Sequence, residues 1–223
     1  MKINRLALRQ WILCLLVLLL FNCTCFKATT PARDVLFSEQ EAPSGFGAYG
    51  YLIFTKHPME DNFSRYIAVC SAFNRNLEPV SDYPQSSWPQ IMPTYWLAKK
   101  REGIDNRYPD CLQWVESYDY SRAKTIASAA KVLSSKGPIL VAWNQPFEKT
   151  RNDDTALILD LSDFSDDDLD RAFGIWMDRI TRDPEIWHDG FNIVLAKEAF
   201  RSFLEKYGDD IIEAVKTVKE IFG

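Results

Sequence analysis

Four short runs rich in β-branched and aromatic residues, Tyr49 to Thr55, Ile91 to Ala98, Ile139 to Trp143 and Ala156 to Leu161, precede a final third whose apolar residues recur only at helical spacing. This order constrains the fold more than any other feature. Strands come early, helices lie between the first of them, and strict strand-helix alternation is absent. The pattern predicts an α+β domain: a single mixed sheet of about four strands covered by helices, with a helical C-terminal third. A doubly wound nucleotide fold is disfavoured for the same reason.

The helical segments carry apolar stripes. Met59, Phe63, Tyr66, Ile67, Cys70, Phe73 and Leu77 follow Pro58, a residue suited to a first helical position. Asp110 opens another helical stretch, with Ala123, Ile126, Ala127, Ala130 and Leu133 on one side and Gly137-Pro138 as its stop. Leu169, Phe173, Trp176 and Ile180 form a third stripe, Ala196, Ala199, Phe200, Phe203 and Tyr207 a fourth, and Ile211 to Phe222 the last. Pro93 predicts an edge position or a late start for the second strand. The polar loop NQPFEKTRNDD predicts a hairpin between the last two strands.

Ahead of all this, Lys2, Arg5 and Arg9 precede an apolar run from Trp11 to Phe21, with no acidic residue before Asp34. That is the layout of a secretory signal, and the run is short for a membrane span, which needs ~20 apolar residues. Residues 1–22 are therefore read as a signal peptide. Residues 23–43 carry two prolines and no sustained period, so they read as a flexible tether, and 44–223 as one globular domain.

The end of the apolar run, Leu20-Phe21-Asn22-Cys23, resembles the lipobox of bacterial lipoproteins: Leu20 and Cys23 fit it, whereas Phe21 and Asn22 stand where small residues are usual. The resemblance implies lipidation at Cys23 and an anchor on a membrane surface, in a periplasmic or membrane-anchored location. The other reading is an ordinary secretory signal with incidental cysteines. Removing the leader takes three of the 26 basic residues and none of the 31 acidic ones, so the net charge moves from −5 to about −8. Nucleic acid is not expected as a partner.

Beyond the leader and tether only Cys70 and Cys111 remain. In an exported chain the pair is a disulfide candidate; alternatively, Cys70 is a buried free thiol on its helical stripe.

Three motifs invite a sharper function. Gly45, Gly47 and Gly50 spell G-x-G-x-x-G, but a dinucleotide site needs these glycines after a strand and before a helix, whereas here they lead into a strand. The kinase form lacks its H-R-D and D-F-G partners. Their expected role is close backbone packing between Phe46, Tyr49 and Tyr51. The acidic stretch Asp160 to Asp170 has no register that fits an EF-hand and suits a helix start. Two histidines, His57 and His188, supply no H-E-x-x-H motif, and no metal or cofactor is expected.

Three residues remain as ligand-binding candidates: Trp88 in a proline-rich loop, Asp160 near a strand end, and His188 beside Asp189. The expected function is a non-catalytic binding or interaction domain of the bacterial cell envelope, whose partner is a protein or other envelope component. The alternative is a small hydrolase or transferase with a site near Asp160 and His188.

Overall fold

The computed structural model describes residues 30–58, 62–135, 137–151, 154–162, 164–182, 186 and 192–207, with side chains described up to residue 202. Its elements are β1 (Thr30–Phe37), β2 (Tyr49–Ile53), α1 (Phe63–Asn76), β3 (Ile91–Ala98), α2 (Cys111–Glu116), α3 (Tyr120–Ala129), β4 (Ile139–Trp143), β5 (Leu157–Asp160), α4 (Leu169–Arg182) and α5 (Ile193–Tyr207). The strands form one five-stranded sheet in the order β1-β3-β2-β4-β5. β3 runs parallel to both β1 and β2, while β4 is antiparallel to β2 and β5. The fold is α+β with a single mixed sheet.

The strand missing from the sequence reading is β1. Thr30–Phe37 belongs to the segment read as tether, yet it pairs along its whole length with β3, from Thr30↔Ile91 to Phe37↔Ala98. Ala32, Leu36 and Arg33 are buried there. Arg33 and Asp34 break the apolar pattern, and each has a specific partner set that only the fold supplies. The outer edge of β1 is partly closed, because Arg33 N–H donates to Glu78 O at 2.8 Å and Arg33 bridges Pro79.

Adding β1 puts β3 inside the sheet, so Pro93 is not at an edge. It is tolerated because the β2–β3 ladder begins one residue later, at Gly50↔Thr94. The helical stretch after Asp110 is two helices. The chain between them returns to the sheet: Tyr118 bridges Ala98, its hydroxyl donates to Leu52 O at 2.8 Å, and it accepts Phe54 N–H at 3.1 Å. Asp119 then caps α3 by accepting Arg122 N–H at 3.1 Å. Leu133, placed on the apolar stripe by spacing alone, lies beyond α3 and is 53% exposed. α1 is assigned from Phe63; residues 59–61 and the stripe from Ile211 to Phe222 lie outside the described residues.

The two faces of the sheet bury different chemistry. On one, Trp96 meets Trp114, Tyr118, Phe54 and Phe73, with centroids 5.3–6.1 Å apart, and Phe73 of α1 reaches Phe173 of α4. On the other, Tyr51 lies 5.6 Å from Tyr95, 5.9 Å from Trp143 and 5.7 Å from Phe147. Two exposed ion pairs, Arg65 with Asp166 at 2.5 Å and Arg75 with Asp170 at 2.9 Å, tie α1 to the acidic approach and first turn of α4. Part of the acidic run is thus accounted for as helix-start and interhelix contact.

Gly50 shows why the glycine stretch exists. A Cβ there would sit 2.8 Å from Thr94 Oγ1 and 3.3 Å from Thr94 Cα, both fully buried on the neighbouring strand. Gly50→Ala is expected to cost about 1–3 kcal/mol in urea unfolding; a variant as stable as wild type would refute the close approach. Cys70 and Cys111 form a disulfide joining α1 to α2 with Cα atoms 5.7 Å apart. Closing its loop stabilises the fold by about 4 kcal/mol on chain-entropy grounds. Peptide mapping of the oxidised protein should recover Cys70 and Cys111 only as a linked pair, with a loss of that order in Cys111→Ser.

Candidate functional site

Of the residues singled out from sequence, Asp160 and Trp88 lie at opposite ends of the sheet. β4 is antiparallel to β2 and β5 to β4, so Asp160, opposite Ile139, lies at the Ile53 end of β2. Trp88 lies at the other end, in the turn Gln85–Gln90 ahead of β3, with its ring stacked on Phe46 at 4.4 Å and 22°. It is half-buried and one ring face is already covered. Its backbone carbonyl also accepts Gly47 N–H at 3.2 Å, fixing the entry to β2. Trp88 therefore serves the packing of the glycine stretch and presents only part of its surface.

Asp160 is occupied as a turn residue. Its carboxylate accepts Ser135 Oγ–H at 2.7 Å, Ser162 N–H at 2.8 Å and the Ser162 hydroxyl, which binds the chain leaving β5 to the segment entering β4. Thr55 extends the network by donating to Ser135 O at 3.3 Å. No imidazole joins it among the described residues: His57 packs its ring 4.0 Å from that of Tyr120, and His188 lies outside the described residues. Among the described residues no three His, Cys, Asp or Glu side chains gather where a cation could be held, and no helix is long and apolar enough to cross a membrane.

The polar groups that do come together lie on the Tyr51 face. Crossing the sheet from β4 to β1, Trp143, Tyr51, Tyr95 and Asp34 follow one another, each with a polar tip. Tyr51 accepts Phe147 N–H at 3.1 Å through its hydroxyl. The Tyr95 hydroxyl and Trp143 Nε1 are buried without partners. Burial pushes both tyrosines well above the usual phenol range, with the Asp34 charge adding to the effect on Tyr95, so both remain protonated at neutral pH. At the margin, Arg122 pairs with Glu148 at 2.5 Å and lies over the Phe147 ring.

Asp34 is the one titratable group of this row whose charge changes near neutrality. Burial raises its pKa to about 6, against a smaller lowering from the Val35 N–H bond. Sequence reasoning missed it because β1 itself was missed. The available signal was only the short apolar run Val35-Leu36-Phe37, because the adjacent Arg33 and Asp34 hide any period of two.

The chain matches no family model, no curated protein and no solved structure. The functional reading therefore rests on its own residues.

A carboxyl group whose pKa is higher folded than unfolded favours the folded state most when protonated. That contribution is complete below about pH 4 and is lost as pH rises through about 6. Asp34→Asn should therefore stabilise the protein at pH 7, by up to about 3 kcal/mol before allowance for partial exposure, and the gain should vanish towards pH 4. Urea midpoints at the two pH values check this; an equal effect at both would show that the carboxylate carries no burial penalty.

Proposed function

We propose that this chain is an exported, non-catalytic binding or interaction domain of the bacterial cell envelope, lipid-anchored at Cys23, whose partners are the membrane surface and a protein or other envelope component. The observation that carries the reading is the Cys70–Cys111 disulfide. Such bonds persist in oxidising compartments and are rare in the cytosol, in keeping with the charge-then-apolar leader and its lipobox-like end. The non-catalytic part is supported by the use of Asp160 as a turn residue and of Trp88 as a packing residue.

The position of β1 sharpens the anchor. Cys23 and Thr30 are seven residues apart, a stretch that spans at most about 25 Å when fully extended. An acylated Cys23 would hold the domain against the bilayer, not on a long leash. Its partners would then be other molecules of the same membrane surface.

Palmitate labelling in a Gram-negative host tests this. Label is expected in wild type and in Cys25→Ala and absent from Cys23→Ala. An unlabelled, shortened, soluble wild-type product would remove the anchor but keep export. A full-length chain retained in the cytoplasm with free Cys70 and Cys111 thiols would sink the whole reading.

A further inference from the structure

Asparagine accepts a nitrogen-linked sugar where a serine or threonine hydroxyl follows after one intervening residue that is not proline. The chain holds two such triplets, Asn22-Cys23-Thr24 and Asn62-Phe63-Ser64. The first straddles the proposed anchor at Cys23, where processing would remove Asn22. The second has Glu60 ahead of it, and bacterial transferases of this kind also require an acidic residue at that place before the asparagine. Ahead of Asn22 the same place is held by Leu20.

The fold sets the second triplet where an enzyme can reach it. Asn62 immediately precedes α1 and is half-buried, Phe63 is only partly buried, and Ser64 lies exposed in the first turn. The first turn of a helix has no intrahelical partners for its own N–H groups, so these residues are held chiefly through their carbonyls, as where Asn62 O accepts Arg65 N–H at 3.1 Å. Helix ends of this kind open at low cost. The anchoring starts just behind them. The Arg65 side chain donates to Leu161 O at 2.6 Å and pairs with Asp166, while the Tyr66 ring stacks on Phe54 at 4.5 Å and its hydroxyl donates to Lys56 O at 2.9 Å. The triplet can therefore enter an active site in extended form while the rest of α1 stays in place.

The same anchors give it a direction. Phe54 follows β2 and Leu161 follows β5, so α1 starts at the Ile53 end of the sheet, whereas Thr30 begins β1 at the opposite end. A glycan on Asn62 would stand away from the tether and leave the Phe46–Trp88 end uncovered.

We propose that Asn62 is the acceptor of an N-linked oligosaccharide. The donor is an oligosaccharide carried on a polyprenyl diphosphate, and the catalyst an oligosaccharyltransferase of the exporting membrane. The bond from C1 of the first sugar to the diphosphate oxygen breaks as the bond from C1 to Asn62 Nδ2 forms. The amide loses one proton and polyprenyl diphosphate leaves, with no change of oxidation state. Ser64 supplies the hydroxyl that the transferase reads.

The inference rests on the export part of the reading above, not on lipidation, and transfer in vitro separates the two. The full-length oxidised protein, purified in detergent, is incubated with a bacterial oligosaccharyltransferase and its lipid-linked oligosaccharide, and followed by intact mass and peptide mapping. A glycan is expected on the peptide that contains Asn62, and its release by an amidase should leave aspartate at that position. Ser64→Thr should keep the modification, Asn62→Gln and Ser64→Ala should abolish it, and Glu60→Gln should lose most of it. The Asn62 side chain makes no cap hydrogen bond to α1 and Ser64 is exposed, so these variants are expected to fold with the Cys70–Cys111 bond intact. Transfer that needs prior reduction and unfolding, transfer confined to Asn22, or no transfer overturns the proposal. Failure of export would show separately, as free Cys70 and Cys111 thiols in the cytoplasm, with transfer in vitro unchanged.

Discussion

The buried guanidinium of Arg33 is the interaction on which the arrangement of this molecule turns. It donates to Asn74 O and Leu77 O at the end of α1 and to Asn106 O at 3.0 Å on the strap after β3. Carbonyls at a helix C-terminus have no intrahelical partners and carry the negative end of the helix dipole, so a cation there is held by both charge and hydrogen bonds. Burial disfavours the charge, and the nearby Glu78 and Asp82 favour it. One side chain thus fixes where α1 stops, how β1 lies against it, and where the strap crosses. The disulfide joins two of these parts by a second route, from α1 to the helix that ends the strap.

Consecutive residues of a strand point to opposite sides, and this explains how Arg33 and Asp34 can be adjacent without neutralising each other. The cation is spent on carbonyl oxygens beside α1. The carboxylate is left on the Tyr51 face across the ladder from Tyr95, where desolvation dominates its titration. A strand with alternating apolar residues would have been cheaper. The two charges have unequal consequences: removing Arg33 would strip a helix end and a loop of their donor, whereas neutralising Asp34 relieves a penalty. That asymmetry marks Arg33 as structural and Asp34 as a group whose charge the fold does not need.

Much of the architecture was legible because it follows from period. The strands from β2 to β5 stand out as short apolar runs, and Leu169, Phe173, Trp176 and Ile180 of α4 are all fully buried, as their spacing required. The first strand was not legible for a physical reason: its two charged residues are satisfied by carbonyls and an amide far away in sequence, at positions 74, 77 and 106. Local composition carries no trace of such partners. The same holds for Pro93, which reads as an edge residue until β1 is known to lie outside it, and for Tyr118, whose pull back to the sheet divides an otherwise continuous helical stretch. The candidate site inherited these failures, since Asp34 belongs to the missing strand and Tyr95 gains meaning only as its cross-strand partner.

Parallel pairing gives the sheet a direction relative to the leader. β1, β2 and β3 all start at the same end, so the end at which Thr30 begins β1 also carries the Phe46–Trp88 stack and the turn Gln85–Gln90. From Asn76 to Ala98 the chain contains no Lys or Arg, and Glu78 and Asp82 lie within that stretch. This segment therefore has no electrostatic attraction for anionic headgroups, which basic clusters supply at about 1 kcal/mol per residue. If the domain rests on a membrane through this end, acyl chains must provide most of the binding, with the half-buried Trp88 and Tyr83 as described aromatic residues of this segment.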